Sequence, residues 1–321
     1  MFRELVDIKE ENLLLIDMQI LNILLFDHSS KKNIIWATDN YQQCGHGFDF
    51  SDEITIEKIT GNYGEIIKPR SKKTNEEKNK RIKENAEVFT PSWVCNSQNN
   101  LVDDAWFGRK NVFNKSDKDS WETIEDKITF PENKPWQDYI NSTRLEISCG
   151  EAPYLVSRYD SVTGKIIKIK DRIGLLDRKL RIVSENIDDK FEWVEWSIKA
   201  MKSVYGYDWQ GDNVLIAREN LLYTFIDYYK DKFGKKPGLE LVEKVAEIIS
   251  WNIWQMDGLK FVIPNSCKNE KKVELTLFGE IEHIEECLGC KKNKNKNHNG
   301  IYCKVMNWKT NRSIKFISLI K

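Results

Sequence analysis

Three acidic residues stand where apolar segments end: Glu146 in "RLEISC", Asp208 in "SVYGYDW" and Asp257 in "QMDGL". Glu146 is followed by Gly150 in "CGEAPY", a small residue at a bend where backbone can approach a ligand. The segment "APYLVSRY" after it reads as a helix start, whose first N–H groups lack internal partners. Asp208, closing the next strand, can accept hydrogen bonds from both hydroxyls of a ribose. Asp257, at a third strand or loop end, can receive the exocyclic amine of an adenine. Singly these are a turn glycine and capping acids; in this order they point to an adenosine-containing ligand. A pyrophosphate would be poorly cradled, because Ala152 and Leu155 stand where G-x-G-x-x-G requires its later glycines. S-adenosyl-L-methionine (SAM) carries no phosphate and suits a single-glycine turn.

A second cluster is Cys287-x2-Cys290-x7-His298-x4-Cys303, in "CLGCKKNKNKNHNGIYC". Two thiolates on one turn plus a His–Cys pair after a loop make a tetrahedral set suited to structural zinc, Zn2+. Cys267 and His283 are substitute ligands, and free thiols in a lysine-rich loop are the plainer alternative. Held by a metal, Lys291, Lys292, Lys294 and Lys296 would form a phosphate-facing patch, with no acid among them. His28 and His46 lie far from these motifs and read as structural. No Ser/His/Asp or Cys/His nucleophile pattern is present.

The elements that must position these groups follow from periodicity. Leu13, Ile16, Ile20 and Leu24 mark a helix, "NIIWAT" a strand, and residues 1–85 a mixed α+β extension. It ends in "KPRSKKTNEEKNKRIK", eight basic residues against two acidic, read as a solvated linker or helix face in preference to a phosphate-contacting arm. Over residues 86–262, strands "RLEISC" and "SVYGYDW" alternate with helices at 212–229 and 239–254, with an insert at 161–196. That alternation predicts a doubly wound α/β sheet. Residues 263–321 read as a small Cys/His module with short strands "VELTLFGEI", "YCKVMNW" and "SIKFISLI". The 321 residues are 40% hydrophobic and 31% charged, and their 50 basic and 50 acidic residues cancel, so net charge argues for no particular partner. No apolar run reaches the roughly 20 residues that span a bilayer. Seven cysteines without an export signal predict reduced thiols or metal ligands, and a cytoplasmic protein with no membrane partner.

"AEVFTPSWVCNSQNNLVDDAWF" (86–107) resembles the F/Y-T-P element that opens amino-group DNA methyltransferases of restriction-modification systems. "LEISCGEAPYL" resembles their methionine-binding motif, "YGYDWQGDNVLIARENLL" their ribose-binding motif and "WNIWQMDGL" their adenine-binding motif. The motif order is that of the N6-adenine branch of type I and type IIG systems, over roughly residues 80–260. The resemblance implies a Rossmann-like SAM-dependent methyltransferase core. Phe89, Thr90 and Pro91 would line the cofactor pocket, Glu146, Cys149 and Gly150 face the methionine end, Asp208 the ribose and Asp257 the adenine. The family's Asn/Asp-Pro-Pro-aromatic loop, which binds the flipped target base, has no counterpart after Asp257, where Pro264 is the only proline. The expectation is therefore a SAM-binding component of a DNA adenine N6-methyltransferase in restriction-modification or phage defence. A partner polypeptide would bring the loop and target recognition, with a restriction nuclease as a further partner. The alternative is a catalytically inactive DNA-binding or assembly subunit.

Overall fold

A parallel sheet of three strands organises the computed structural model, which describes residues 10, 13, 17–88, 90–276 and 279–320. In chain order, α1 (Met18–Leu25) leads into the hairpin β1 (Phe26–Asp27) and β2 (Lys32–Asn33). Asp17 caps α1 by accepting from the Gln19 N–H, and Leu13, Ile20 and Leu24 are buried as their spacing predicts; Ile16 lies outside the described residues. "NIIWAT" pairs irregularly with the stretch around Glu53 and is a strand only at its start.

Of the two plain readings of the basic stretch, the helix face holds for its second half. Its helix α2 (Asn75–Asn85) starts at a reciprocal capping box between Thr74 and Glu77. Helix α3 (Ser92–Phe107) follows, then the hairpin β3 (Asn114–Asp117) and β4 (Ser120–Thr123), and α4 (Trp136–Asn141). Next come β5 (Arg144–Ile147), helices α5 (Leu175–Asn186) and α6 (Lys190–Lys202), β6 (Val204–Asp208), helices α7 (Gly211–Phe233) and α8 (Leu239–Asn252), and β7 (Ile253–Gln255). The sheet runs β5-β6-β7, with Glu146 opposite Gly206, Gly206 opposite Ile253 and Asp208 opposite Gln255. The helix expected through Trp254 ends at Asn252, because Ile253 already pairs with Gly206.

Helix α7 is buried almost all round, so each polar group on it needs an internal partner. Arg218 donates to the carbonyls of Leu24, Phe26, Ser250 and Ile253, tying the C-terminal ends of α1 and α8 to the sheet.

The two faces of the sheet are covered differently. Val204 and Ile253 face the main core with the helices. On the other face, Tyr207 and Trp254 pack with Met256, Ile263, Cys303, Val305 and Phe316. A doubly wound sheet has helices on both faces; here residues beyond Met256 cover the second one. That segment contains the hairpin β8 (Glu270–Thr276) and β9 (Gly279–Glu285), the short helix α9 (Leu288–Lys292), and the hairpin β10 (Lys304–Asn307) and β11 (Arg312–Lys315). After Lys315 the expected strand gives way to a 3-10 turn, Phe316–Leu319. No described helix is long and apolar enough to cross a membrane.

Candidate functional site

Parallel strands end together, so Glu146 and Asp208 reach the same carboxyl-terminal edge of the sheet. That edge opens into a cavity of about 830 Å³, lined by Thr90, Glu146, Cys149, Gly150 and Asp208 among others. Its size falls within the roughly 300–1,000 Å³ of small-molecule sites. Five of the eight predicted cofactor residues are thereby brought together.

The turn after β5 is tighter than expected. Ser148, Gly150 and Ala152 all take positive φ (48°, 52° and 63°), and no helix follows. The N–H groups that a helix would have offered are already used: Tyr154 and Leu155 donate to the Glu146 carboxylate, at 3.3 and 3.2 Å. Gly150 N–H donates to Asp208 at 2.9 Å, linking the two strand ends. Asp208 also accepts from the Gln210 N–H and, at 3.4 Å, from Asn213 Nδ2. Burial pushes the Glu146 carboxyl up to about 8, against the pull of its two N–H donors. Burial likewise pushes Asp208 up to about 6 despite the donors Gly150 and Gln210, and raises the Cys149 thiol.

Three predicted residues stand apart. Asp257 does not line the cavity; its carboxylate accepts the N–H groups of Leu259 (2.9 Å) and Lys260 (3.0 Å) and closes a tight local turn. The adenine role therefore lacks geometric support: the acid is outside the lining, and two of its acceptor sites are taken by its own loop. Pro91 is the residue before α3, outside the lining, and Phe89 lies outside the described residues.

Other lining residues were given no role from the motifs, and most come from outside them. Thr38, Asp39 and Phe50 arrive from the N-terminal extension, Lys83, Glu84 and Glu87 from α2 and the stretch after it, and Trp209 directly follows Asp208. Phe50 and Trp209 meet edge to face at 6.2 Å, and the Trp209 indole N–H donates to Ala37 O. The α2 wall is fastened by a buried ionic network. Arg81 pairs with Glu87 and Asp212, Lys73 lies 3.8 Å from Asp212, and Tyr41 donates to Asp212 at 2.6 Å. Glu87 also accepts from Asn213 Nδ2 at 3.1 Å, joining this network to the cavity.

The Cys/His cluster forms at a second location with one ligand changed. Ligand atoms of Cys267, Cys287, Cys290 and His298 all lie within 4.8 Å of one another. Three Sγ-to-Nδ1 distances, 3.5 Å from Cys267, 3.6 Å from Cys290 and 3.8 Å from Cys287, converge on His298. A tetrahedral zinc with sulfur at about 2.3 Å and nitrogen at about 2.05 Å sets an S···N edge of about 3.6 Å, so the set fits that ion. Cys303 is not part of it. Fully buried in the second-face core, it directs its Sγ to Gln255 O at 3.3 Å. Cys267, the substitute ligand, takes its place, whereas His283 is exposed on β9 and outside the cluster. Gly289 is required at the knuckle, since a Cβ there would lie 2.6 Å from His298 Nδ1. Burial raises the Cys287 thiol, but N–H donors led by Asn299 outweigh it and bring the group down to about 6. Lys291, Lys292, Lys294 and Lys296 are exposed beside the cluster, and Lys291 lies 3.6 Å from Glu285. His28 and His46 play no part in either site: His28 is buried, stacked on Trp251 and bonded to Ser250, and His46 is exposed. Compared with known proteins, the chain matches no family model, no curated protein and no solved structure.

Proposed function

We propose that this chain is the SAM-binding component of a DNA adenine N6-methyltransferase whose base-binding loop is supplied from outside the described residues. The observation that carries the reading is the charge of the cavity. Asp39, Glu84, Glu87, Glu146, Glu151 and Asp208 line it against a single cation, Lys83. Glu87 is paired with Arg81, and burial keeps Glu146 largely protonated at pH 7 and raises Glu151. Asp39, Glu84 and Asp208 still disfavour the phosphates of NAD and nucleotides, and an entering cation favours ionisation of Glu146. SAM carries a sulfonium and an ammonium group on a nucleoside, and this sheet edge is where α/β folds bind nucleosides. Bound SAM would supply an electrophilic methyl group. Asp208 and Glu146 would hold the ribose and methionine ends, and Trp209 offers an aromatic face for the adenine in place of Asp257. No two of the seven prolines are adjacent, so on this reading the Pro-Pro loop that orients the target amine would come from outside this sequence, from a partner polypeptide. The cluster of three cysteines and one histidine, loaded with zinc, would fix the lysine loop as a DNA phosphate contact.

Titration calorimetry tests the cofactor: Asp208→Ala should abolish SAM binding, and unchanged affinity removes the assignment. Transfer of labelled methyl groups to duplex DNA should appear only when the partner is added. One observation favours the second reading, a non-enzymatic DNA-binding or assembly subunit: Asp208 and Glu146 already have internal N–H donors and need no ligand to satisfy them. On that reading the purified chain binds duplex DNA with a steep salt dependence and ignores SAM.

A further inference from the structure

The two edges of the parallel sheet are treated differently. Beyond β7, the N-terminal segment closes the edge: Gln255 accepts from the Ile35 N–H at 2.9 Å and donates to Ile35 O at 2.8 Å. Beyond β5, no described residue pairs with the strand. In a parallel ladder, alternate residues direct their N–H and C=O groups to one neighbour. Arg144 N–H donates to Ser203 O in β6's direction, so the backbone groups of Leu145 and Ile147 point outward. Their side chains are 45% and 65% exposed, because the C-terminal segment that covers Tyr207 and Trp254 stops short of them. Exposed sheet edges are normally blunted by Lys, Pro or a bulge; these two outward positions carry Leu and Ile.

The same strand borders two cavities. Ile147 lines the acidic one described above, and Leu145 lines a groove of about 780 Å³ with Tyr205, Trp254, Val305 and Trp308. Lys199, Lys202 and Lys309 also line the groove, with no acidic residue among its lining. Lys199 already pairs with Glu195 at 2.8 Å. Lys202 lies over the Trp308 ring at 4.7 Å, and its neighbouring charge is a second cation, Lys244.

We propose that the outer edge of β5 and this groove seat a β-strand of a second, different polypeptide, which extends the sheet and brings carboxylates to Lys202 and Lys309. Charge decides between occupants. A two-fold pairing of β5 with its own copy would set two lysine-lined grooves on one continuous face, where they repel. A four-residue strand alone is also too small for a stable contact of about 1,200–2,000 Å², so the occupant must fill the groove as well. A strand seated here ends beside Glu146 and Ile147 at the mouth of the acidic cavity, where whatever follows it faces the cofactor site. The inference takes its purpose from the proposed two-polypeptide function and its evidence from the edge itself.

A photocrosslinking residue placed at Leu145 or Ile147 of the full chain, in cells of its native host, tests this, with exposed Phe191 as control position. The expected result is adducts at 145 and 147, absent at 191, that join one other polypeptide. In the purified pair, amide hydrogen exchange at Leu145 and Ile147 should slow, and Lys202→Glu with Lys309→Glu should weaken binding by about tenfold or more, most at low salt. Adducts only to a second copy or to this same chain would overturn the proposal. So would no adduct above control, unslowed exchange in the pair, or unchanged affinity in the double variant. Neither side chain at the edge is buried, so the crosslinker leaves the core intact. SAM affinity of the lone chain is measured separately: its loss with the pair intact would sink the cofactor reading and leave this one standing.

Discussion

Binding of a cationic nucleoside should drive a proton off Glu146. Buried without a positive partner, this carboxyl is raised to about 8, and its neighbour Asp208 to about 6. At pH 7 the ligand-free chain then holds about 0.9 proton on Glu146 and about 0.1 on Asp208. A sulfonium or ammonium group in the cavity favours both charged forms, so binding should release about one proton at pH 7. The same arithmetic gives about 1.5 protons at pH 6 and about a quarter of one at pH 8.5. Calorimetry in two buffers of different ionisation enthalpy counts them directly. Glu146→Gln keeps the shape and an acceptor oxygen but cannot ionise, so its count should fall by about 0.9 at pH 7. The difference between the two chains also removes any proton taken up by the ligand's own amine. Both carboxyls have raised folded-state values, so their contribution to the ligand-free fold is complete near pH 4. It is lost as pH climbs through about 6 and then about 8, while ligand affinity rises over the same span. Equal proton release by the two chains, or affinity that falls with pH, would refute the electrostatic account of the cavity.

The remaining predictions use other parts of the fold. Asp257→Ala should leave SAM affinity unchanged within about twofold while loosening the turn to Lys260, whereas a loss as large as that of Asp208→Ala would restore Asp257 to the site. Native mass spectrometry should find one zinc per chain, absent in Cys290→Ser and retained in Cys303→Ser; structural zinc sites contribute about 10–16 kcal/mol in small peptides, so chelation should unfold the region around the cluster. Arg81→Ala strands the buried carboxylates of Asp212 and Glu87, which should cost about 3–5 kcal/mol in denaturant unfolding, and a loss below about 1 kcal/mol would show that Lys73 alone suffices for Asp212.

What the sequence made legible was local and periodic. Apolar runs broken by an acid located the ends of β5 and β6, and three- and four-residue spacing located α7 and α8. The helix expected after Gly150 stops at one turn, Val156 N–H to Ala152 O, because the next N–H, that of Ser157, donates to the Asp177 carboxylate, a competition between side chain and helix that periodicity does not register. Asp257 falls outside the cavity lining, and this was not legible because a strand-end acid and a turn-closing acid look alike; only the "DG" hints at a turn. At the metal cluster the Cys-x2-Cys knuckle and His298 were readable from spacing. The fourth ligand was not, because a hairpin brings Cys267 back across twenty residues while nearby Cys303 turns into the core. The acidic wall from Asp39, Glu84 and Glu87 was invisible for the plainest reason: these residues meet Glu146 only through the tertiary fold.

The internal hydrogen bonds of Asp208 bear on whether a ribose can be held at all. A carboxylate offers about four lone-pair sites, and Gly150, Gln210 and Asn213 occupy three. Two ribose hydroxyls need two, so one existing donor must yield. The Gly150 and Gln210 N–H groups are fixed by the turn and by the start of α7, at 2.9 and 3.0 Å. Asn213 Nδ2 is held at 3.4 Å and has an alternative acceptor, Glu87 Oε1, at 3.1 Å. The amide carries two N–H groups, so giving up the longer contact frees one of them, and the rearrangement avoids about 1–3 kcal/mol for a stranded buried donor only where a ribose hydroxyl oxygen accepts it. Glu87 in turn is kept in place by Arg81, anchored to Asp212 at the start of α7. The ionic network that fastens α2 therefore also decides how cheaply Asp208 is freed, which makes ligand affinity and the seating of that helix two readouts of one set of contacts.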